Sequence, residues 1–130
     1  MKILPESLPL WLMLRAVVWL GDSRKRVRAF PKETQRAMGG ALMLAQYGGT
    51  ADNVKAFKGV GSGVFEIVES YQKNAYRLIY AVQIGEKIYV LHAFQKKSKT
   101  GVKTPATDVE LVKQRYRQAL ELARGDYDDD

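Results

Sequence analysis

The sequence predicts an α+β domain in which a small, antiparallel-rich twisted sheet is flanked by two N-terminal helices and one C-terminal helix. Three patterns support this class: a helical apolar stripe over residues 31–47, β-branched and aromatic runs over residues 64–94, and a second helical stripe over residues 107–125. With 130 residues, 46% of them apolar, the chain suits one domain with its own core. A disordered or fibrous protein is disfavoured.

One strand and one short helix are predicted first. Residues 15–20 combine β-branched and aromatic side chains and stop at Gly21, which favours a short strand. Asp22 or Ser23 is then suited to cap a helix that runs to Phe30, because short polar side chains accept hydrogen bonds from the first free amides.

A second helix is predicted from Pro31 to residues 47–49, where two glycines are typical of a C-cap. Gly39 and Gly40 lie inside it and cost about 1 kcal/mol each relative to Ala. We therefore expect close packing on a neighbouring surface to compensate. The apolar stripe of this helix consists of Met38, Ala41, Leu42 and Ala45.

Three strands follow, over residues 64–70, 75–84 and 87–94, joined by short polar or glycine-bearing segments as in an antiparallel meander. In the middle strand, alternation places Arg77 on the face opposite to Tyr76. The spacing Thr107-x-x-Glu110 predicts a capping box that opens the last helix, and Gly125 is expected to close it. The predicted order is β-α-α-β-β-β-α, with helices packed on one curved sheet.

The charge distribution favours a polyanionic partner. The chain has 21 Lys and Arg against 14 Asp and Glu, and four of the acids fall in the last five residues. Residues 1–125 therefore carry a net charge of +11, which is typical of proteins that meet nucleic acid. A lysine-rich solvated surface without such a partner remains the alternative. Residues 126–130 are predicted to be a solvated acidic tail.

Several classes of site are excluded by composition. The sequence has no Cys, so disulfides, thiolate metal sites and a cysteine nucleophile are excluded, and its single histidine, His92, excludes a histidine-rich metal site. The apolar N-terminal stretch is interrupted by Pro5, Glu6, Pro9 and Arg15, so we expect no membrane span there. It also fits a signal peptide poorly, and a cytoplasmic location is predicted.

An ordered set of short segments resembles the phage-derived, HigB-like branch of the RelE/ParE toxin superfamily. The resemblance covers about residues 14–124. Its segments are Val17-Val18-Trp19-Leu20-Gly21-Asp22-Ser23, Phe30-Pro31, Phe57-Lys58-Gly59, Tyr76-Arg77-Leu78-Ile79-Tyr80, Val90-Leu91-His92-Ala93-Phe94-Gln95-Lys96-Lys97-Ser98 and Thr104-Pro105.

These boundaries divide the chain into an N-terminal extension (1–13), a RelE/HigB-like toxin domain (14–125) and the acidic tail (126–130). Family-like sequence begins directly after Met13, which is therefore a second possible translation start besides Met1. We expect residues 1–12 to be poorly ordered, or to be packed through Trp11 and Leu12 alone.

The resemblance implies the toxin half of a type II toxin-antitoxin module, built on a small sheet flanked by helices. The usual activity in that superfamily is ribosome-dependent cleavage of mRNA in the A site, without a metal or other cofactor. The ParE branch instead inhibits DNA gyrase without cutting RNA, and fold alone does not choose between the two. The implied partners are a cognate helix-turn-helix antitoxin and mRNA on the ribosome.

RNA cleavage by the 2′-hydroxyl needs a base, a cation for the phosphorane charge and an acid for the leaving 5′-oxygen. The resemblance aligns Arg77 with the arginine that holds the scissile phosphate in the mRNA-cleaving members. A guanidinium suits that role because it contacts two phosphate oxygens at once. The alternative is that Arg77 only pairs with Glu66 or Glu69 on the neighbouring strand.

Lysines form the second group of candidates. Lys96 and Lys97 follow the last strand, where relatives carry a basic or histidine cluster at the active-site rim, and the alternative is a mobile loop that touches only backbone phosphates. Lysine is a poor acid or base at neutral pH unless it is desolvated. Lys99 and Lys103 are RNA-contact candidates that extend this charge, and they share its mobile-loop alternative. Lys55 and Lys58 are the other RNA-contact candidates, with an ordinary solvated loop as the alternative.

His92 and Glu66 complete the candidate site. His92 has the one side chain with an unperturbed pKa near neutrality, so it is a candidate general acid, or else a hydrogen-bonded core residue. Glu66 lies where several ribosome-dependent relatives carry lysines. It is the candidate base, or else it neutralises Arg77 at rest.

Overall fold

The computed structural model describes residues 14–97 and 104–128, and within them it contains five strands and three helices. The elements are β1 (Val17–Trp19), α1 (Ser23–Arg28), α2 (Lys32–Gln46), β2 (Val54–Ala56), β3 (Val64–Tyr71), β4 (Asn74–Ala81), β5 (Ile88–Lys97) and α3 (Ala106–Asp128). The predicted α+β class is confirmed. The expectation for residues 1–12 lies outside the described residues.

The strands form one mixed sheet in the order β1-β5-β4-β3-β2. β1 runs parallel to β5, and the other neighbours are antiparallel. β2 was not predicted from the sequence, because three residues are too few to show an alternating pattern. It forms because its backbone pairs with β3, with Lys55 opposite Glu66.

The two faces of the sheet hold separate apolar clusters. On one face α1 and α2 cover side chains that include Tyr76, Leu78 and Tyr80 of β4. On the other face α3 packs through Val112 and Ala119 against side chains that include Ile79 and Ala81 of β4. The predicted alternation along β4 is therefore confirmed, and Arg77 points to the α3 side.

The C-terminal end of α2 follows the predicted glycine cap. Gly48 adopts a φ of +90°, a left-handed conformation that glycine takes without steric cost. The Gly49 amide donates to the Leu44 carbonyl at 2.8 Å, and the Gly48 amide donates to the Ala45 carbonyl at 3.0 Å. These two bonds form a Schellman motif.

One predicted capping bond and both predicted ends of the last helix are wrong in detail. The Asp22 side chain makes no capping bond to α1, because its carboxylate is held by two arginines instead. α3 begins before the predicted capping box: the Pro105 carbonyl already accepts a bond from the Val109 amide, so Thr107 lies inside the helix. Gly125 does not end α3, which continues to Asp128.

The expected packing around Gly39 and Gly40 is also wrong. Both are exposed, and a Cβ atom added at either would meet nothing within 4 Å. No contact within the described residues thus explains two glycines in the middle of a helix.

None of the helices in the described part of the chain is long and apolar enough to cross a membrane.

Candidate functional site

The sheet register brings acidic and basic side chains together on the α3 face. Lys55 on β2 is directly opposite Glu66 on β3. Arg77 on β4 is opposite Val68, so it is the diagonal neighbour of Glu66, a separation that long side chains bridge. Lys96 on β5 is opposite Ala75 and is in turn the diagonal neighbour of Arg77.

Glu66 is held by two cations. Arg77 donates from Nη1 to Glu66 Oε2 at 2.6 Å, and Lys55 Nζ lies 3.7 Å from Glu66 Oε1. The side chains of Arg77 and Glu66 are only 10% and 4% exposed, whereas that of Lys55 is 59% exposed. The ion pair that the sequence left open as an alternative is therefore present, and it fixes one end of the guanidinium.

Two buried cationic donors at this ion pair, one within it and one beside it, have no partner among the described residues. They are Arg77 Nε and Lys96 Nζ. Desolvation, reinforced by the positive charge of Arg77, lowers the pKa of the Lys96 ammonium. Because an unpaired buried donor is costly, the arrangement is suited to an anion that would satisfy both groups.

Arg77 and Glu66 lie at the floor of an open cleft of about 450 Å³ between the sheet and the start of α3. Lys55 and Lys58 stand at its basic edge, and both are exposed. The other lining residues are Ala56, Phe57, Thr104 and Val109. A flexible polyanion can reach this cleft from solvent, with cations meeting it at the edge and at the floor.

Most of the predicted residues that the structure describes share this cleft or adjoin it. Lys96 was expected in a loop after the last strand, but β5 extends through it by pairing with the start of β4, so it is 9% exposed. Lys97 ends β5, and its side chain lies outside the description, as do Lys99 and Lys103. Glu69 accepts a bond from the Asn53 amide nitrogen at 3.0 Å rather than from Arg77.

His92 occupies a different environment. It is fully buried, with Nε2 2.8 Å from Asp108 Oδ1 and Nδ1 3.5 Å from Arg115 Nη1, and it stacks on Phe94. A guanidinium only donates, so His92 Nδ1 accepts from Arg115, and the proton on Nε2 is donated in a hydrogen bond to Asp108 Oδ1. Desolvation lowers the pKa of His92 and outweighs the opposing effect of Asp108. This geometry fits a neutral, hydrogen-bonded core histidine.

The contacts around His92 were not found from the sequence. Arg115 donates to the Leu91 carbonyl at 3.0 Å and to Asp22 Oδ1 at 2.9 Å, which ties α3 to β5 and to the start of α1. Hydrogen bonds from Arg26 and then Arg115 lower the pKa of Asp22 to about 2. The sequence signal that could have indicated a partly buried Arg115 was its position three residues after Val112, on the buried stripe of α3.

Folding stability is expected to fall as the pH drops below about 6.5, the ordinary pKa of histidine. Below this pH the unfolded chain takes up a proton on His92, whereas the buried His92 of the folded chain stays neutral. Because one proton is involved, the free energy of unfolding falls by at most about 1.4 kcal/mol per pH unit. Urea unfolding at pH 7.5, 6.5 and 5.5 measures it. His92→Gln should flatten the slope, and an equal slope in both proteins would contradict the assignment.

Among residues 14–97 and 104–128, no group of three or more His, Asp or Glu side chains is placed to hold a metal ion.

The chain matches a known family over most of its length. Residues 25–117 match the family model described as phage derived protein Gp49-like (DUF891), a family of RelE-like toxins. The matched region runs from α1 to α3 and includes the whole cleft floor. No curated protein matches the chain significantly.

Proposed function

Since the chain belongs to the phage-derived Gp49-like family of RelE-like toxins, we propose that it is a ribosome-dependent mRNA endonuclease. It acts as the toxin of a type II toxin-antitoxin module, on the HigB-like branch, and it inhibits translation in the cytoplasm. Its partners are mRNA in the ribosomal A site and a cognate helix-turn-helix antitoxin. No metal or cofactor takes part in the proposed reaction.

The observation that carries the proposal is the pair of buried cationic donors without partners. Glu66 holds Nη1 of Arg77 and leaves Nε unpaired, while Lys96 Nζ is unpaired close by. A phosphodiester supplies two non-bridging oxygens, which suit a guanidinium edge and an ammonium group. The net positive charge of the cleft also draws an RNA backbone toward it.

Each step of the reaction has a candidate group. Glu66 accepts the proton of the 2′-hydroxyl as that oxygen attacks phosphorus, and Arg77 neutralises the charge on the phosphorane. Lys96 gives a proton to the leaving 5′-oxygen, and its lowered pKa makes it a better acid than an ordinary lysine. The products are a 2′,3′-cyclic phosphate and a 5′-hydroxyl end. Glu66 then releases its proton to water and Lys96 takes one up from water, which restores the starting state.

The ribosome has a defined part in this scheme. The Glu66 carboxylate is 4% exposed and already paired, so a free RNA strand gains little help in bringing its 2′-hydroxyl into line. A ribosome that fixes the message supplies the orientation that the cleft lacks.

The proposal is tested by inducing the chain in a bacterial host and mapping new RNA ends. Growth arrest is expected with mRNA fragments that carry 5′-hydroxyl rather than 5′-phosphate ends, and with cleavage in a purified system only when ribosomes are present. Arg124→Gln is the matched control, because it removes a cation that is 70% exposed at the far end of α3 and should leave cleavage unchanged.

Growth arrest with intact mRNA would contradict the proposal. Loss of DNA supercoiling in those cells would instead identify a non-nucleolytic inhibitor of gyrase, the other known activity of this fold.

A further inference from the structure

The face of the sheet opposite the cleft carries a second concave surface. A groove of about 180 Å³ lies between α1 and α2, with Trp19, Val27, Met38 and Leu42 among its apolar lining residues. Arg24 and Arg28 line the same groove. Its size suits one large apolar side chain from another molecule, and its arginines suit neighbouring carboxylates.

The surface around this groove is strongly basic. Five exposed cations on and between α1 and α2 form no ion pair within the described residues, and a single acid, Glu33, stands among them. Arg26 differs from these five because Asp22 pairs with it. The five are Arg24, Lys25, Arg28, Lys32 and Arg36.

Two glycines adjoin the groove at a cost to the helix that carries them. Gly39 lines the groove and Gly40 follows it in α2, and neither has a packing reason within the described part of the chain. Glycine in a helix interior lowers its stability, yet it lets another backbone approach closely. Beyond them, Met43 and Leu44 on the same helix and Tyr47 at its C-cap are exposed. A helix lying across α2 would use all these features.

We propose that the α1–α2 groove docks an acidic amphipathic helix of a partner protein. One apolar side chain of that helix fills the groove, its backbone lies on Gly39 and Gly40, and its carboxylates pair with Arg24 and Arg28. The proposal rests on the toxin-antitoxin module proposed above, since the antitoxin is the partner used to test it.

An acidic protein fits this surface better than the other occupants. An RNA backbone would use the cations but would leave the apolar floor and the glycines without a role. A second copy of the chain would bring a like-charged surface to the same place. A partner docked here leaves the cleft on the other face uncovered.

The probe is the cognate helix-turn-helix antitoxin of the proposed module, which is co-expressed with the full chain, separated in denaturant and titrated against the refolded chain. Gly39→Ala and Gly39→Leu are expected to weaken binding by at least tenfold. Gly39→Ala should at the same time raise the midpoint of thermal unfolding, because alanine favours the helix. Gly125→Ala is the matched control: it replaces an equally uncrowded glycine on α3 and should leave binding unchanged.

Arg24→Gln together with Arg28→Gln should weaken binding by at least tenfold and reduce its dependence on salt, while Arg124→Gln should do neither. In the absence of the partner, all these variants should still cleave RNA on ribosomes. If the parent chain itself does not cleave RNA, the nuclease proposal is refuted, but the docking proposal is not. Parent-like binding of the Gly39 variants would overturn the docking proposal, and so would absence of binding to the parent chain.

Two further outcomes would overturn it in favour of another occupant. In the first, the Arg24 and Arg28 changes weaken binding of a labelled 12-nucleotide RNA but do not weaken binding of the partner protein. In the second, the parent chain sediments as a dimer and the Gly39→Leu variant sediments as a monomer.

Discussion

Lys96→Met is expected to make the chain more stable and less toxic at the same time. The Lys96 ammonium is buried without a partner, so an apolar side chain of similar length should raise the free energy of unfolding by about 1–3 kcal/mol. Cleavage should fall by about 10²–10³-fold, as expected for removal of one group that stabilises charge in the transition state. Urea unfolding and the rate of ribosome-dependent cleavage measure the two effects.

Lys113→Met is the control for this change. Lys113 is half-exposed and pairs only with Glu110 one turn away on α3, so both stability and cleavage should stay near those of the parent. A Lys96→Met protein that is destabilised, or that cleaves as fast as the parent, would show that Lys96 has an ordinary structural role.

The second large effect is expected at the buried ion pair. Arg77→Ala leaves Glu66 in the sheet with only the longer contact to Lys55, which should lower the free energy of unfolding by about 3 kcal/mol. The double variant Glu66→Ala, Arg77→Ala removes the uncompensated charge and should recover much of that loss. Cleavage should be undetectable in both proteins, because both lack the guanidinium that holds the phosphate and the double variant also lacks the proposed base.

The double variant separates a folding defect from a chemical one. If it regains stability and also regains cleavage, Arg77 is not the phosphate-binding group. If Arg77→Ala alone unfolds in cells, the double variant still gives a folded protein in which the same measurement can be made.

Local pattern accounts for much of the fold. Alternating side chains along residues 75–81 predicted which residues share each face of β4, because the strand repeat of two leaves little freedom. The glycines at 48 and 49 predicted the end of α2 for an equally local reason. β2 and the start of α3 were missed because they depend on pairing and packing with distant segments rather than on their own residues.

The candidate site divides in the same way. Pairing of Arg77 with an acid on the neighbouring strand was among the alternatives, because cross-strand neighbours are few. The burial of Lys96 was missed, since a run of lysines after a strand normally indicates a solvated loop. The bond from Arg115 to Asp22 joins residues 93 positions apart, and one sequence contains no local signal for such a distance.

The parallel pairing of β1 with β5 has a consequence for how the protein is made. β1 is synthesised well before β5, yet among the described strands β5 is its only sheet neighbour. Such distant pairings form late, after the intervening loops have closed. Lys96 and the α3 wall of the cleft come later still, so under the proposed function a nascent chain has no finished cleft with which to cut the message that encodes it.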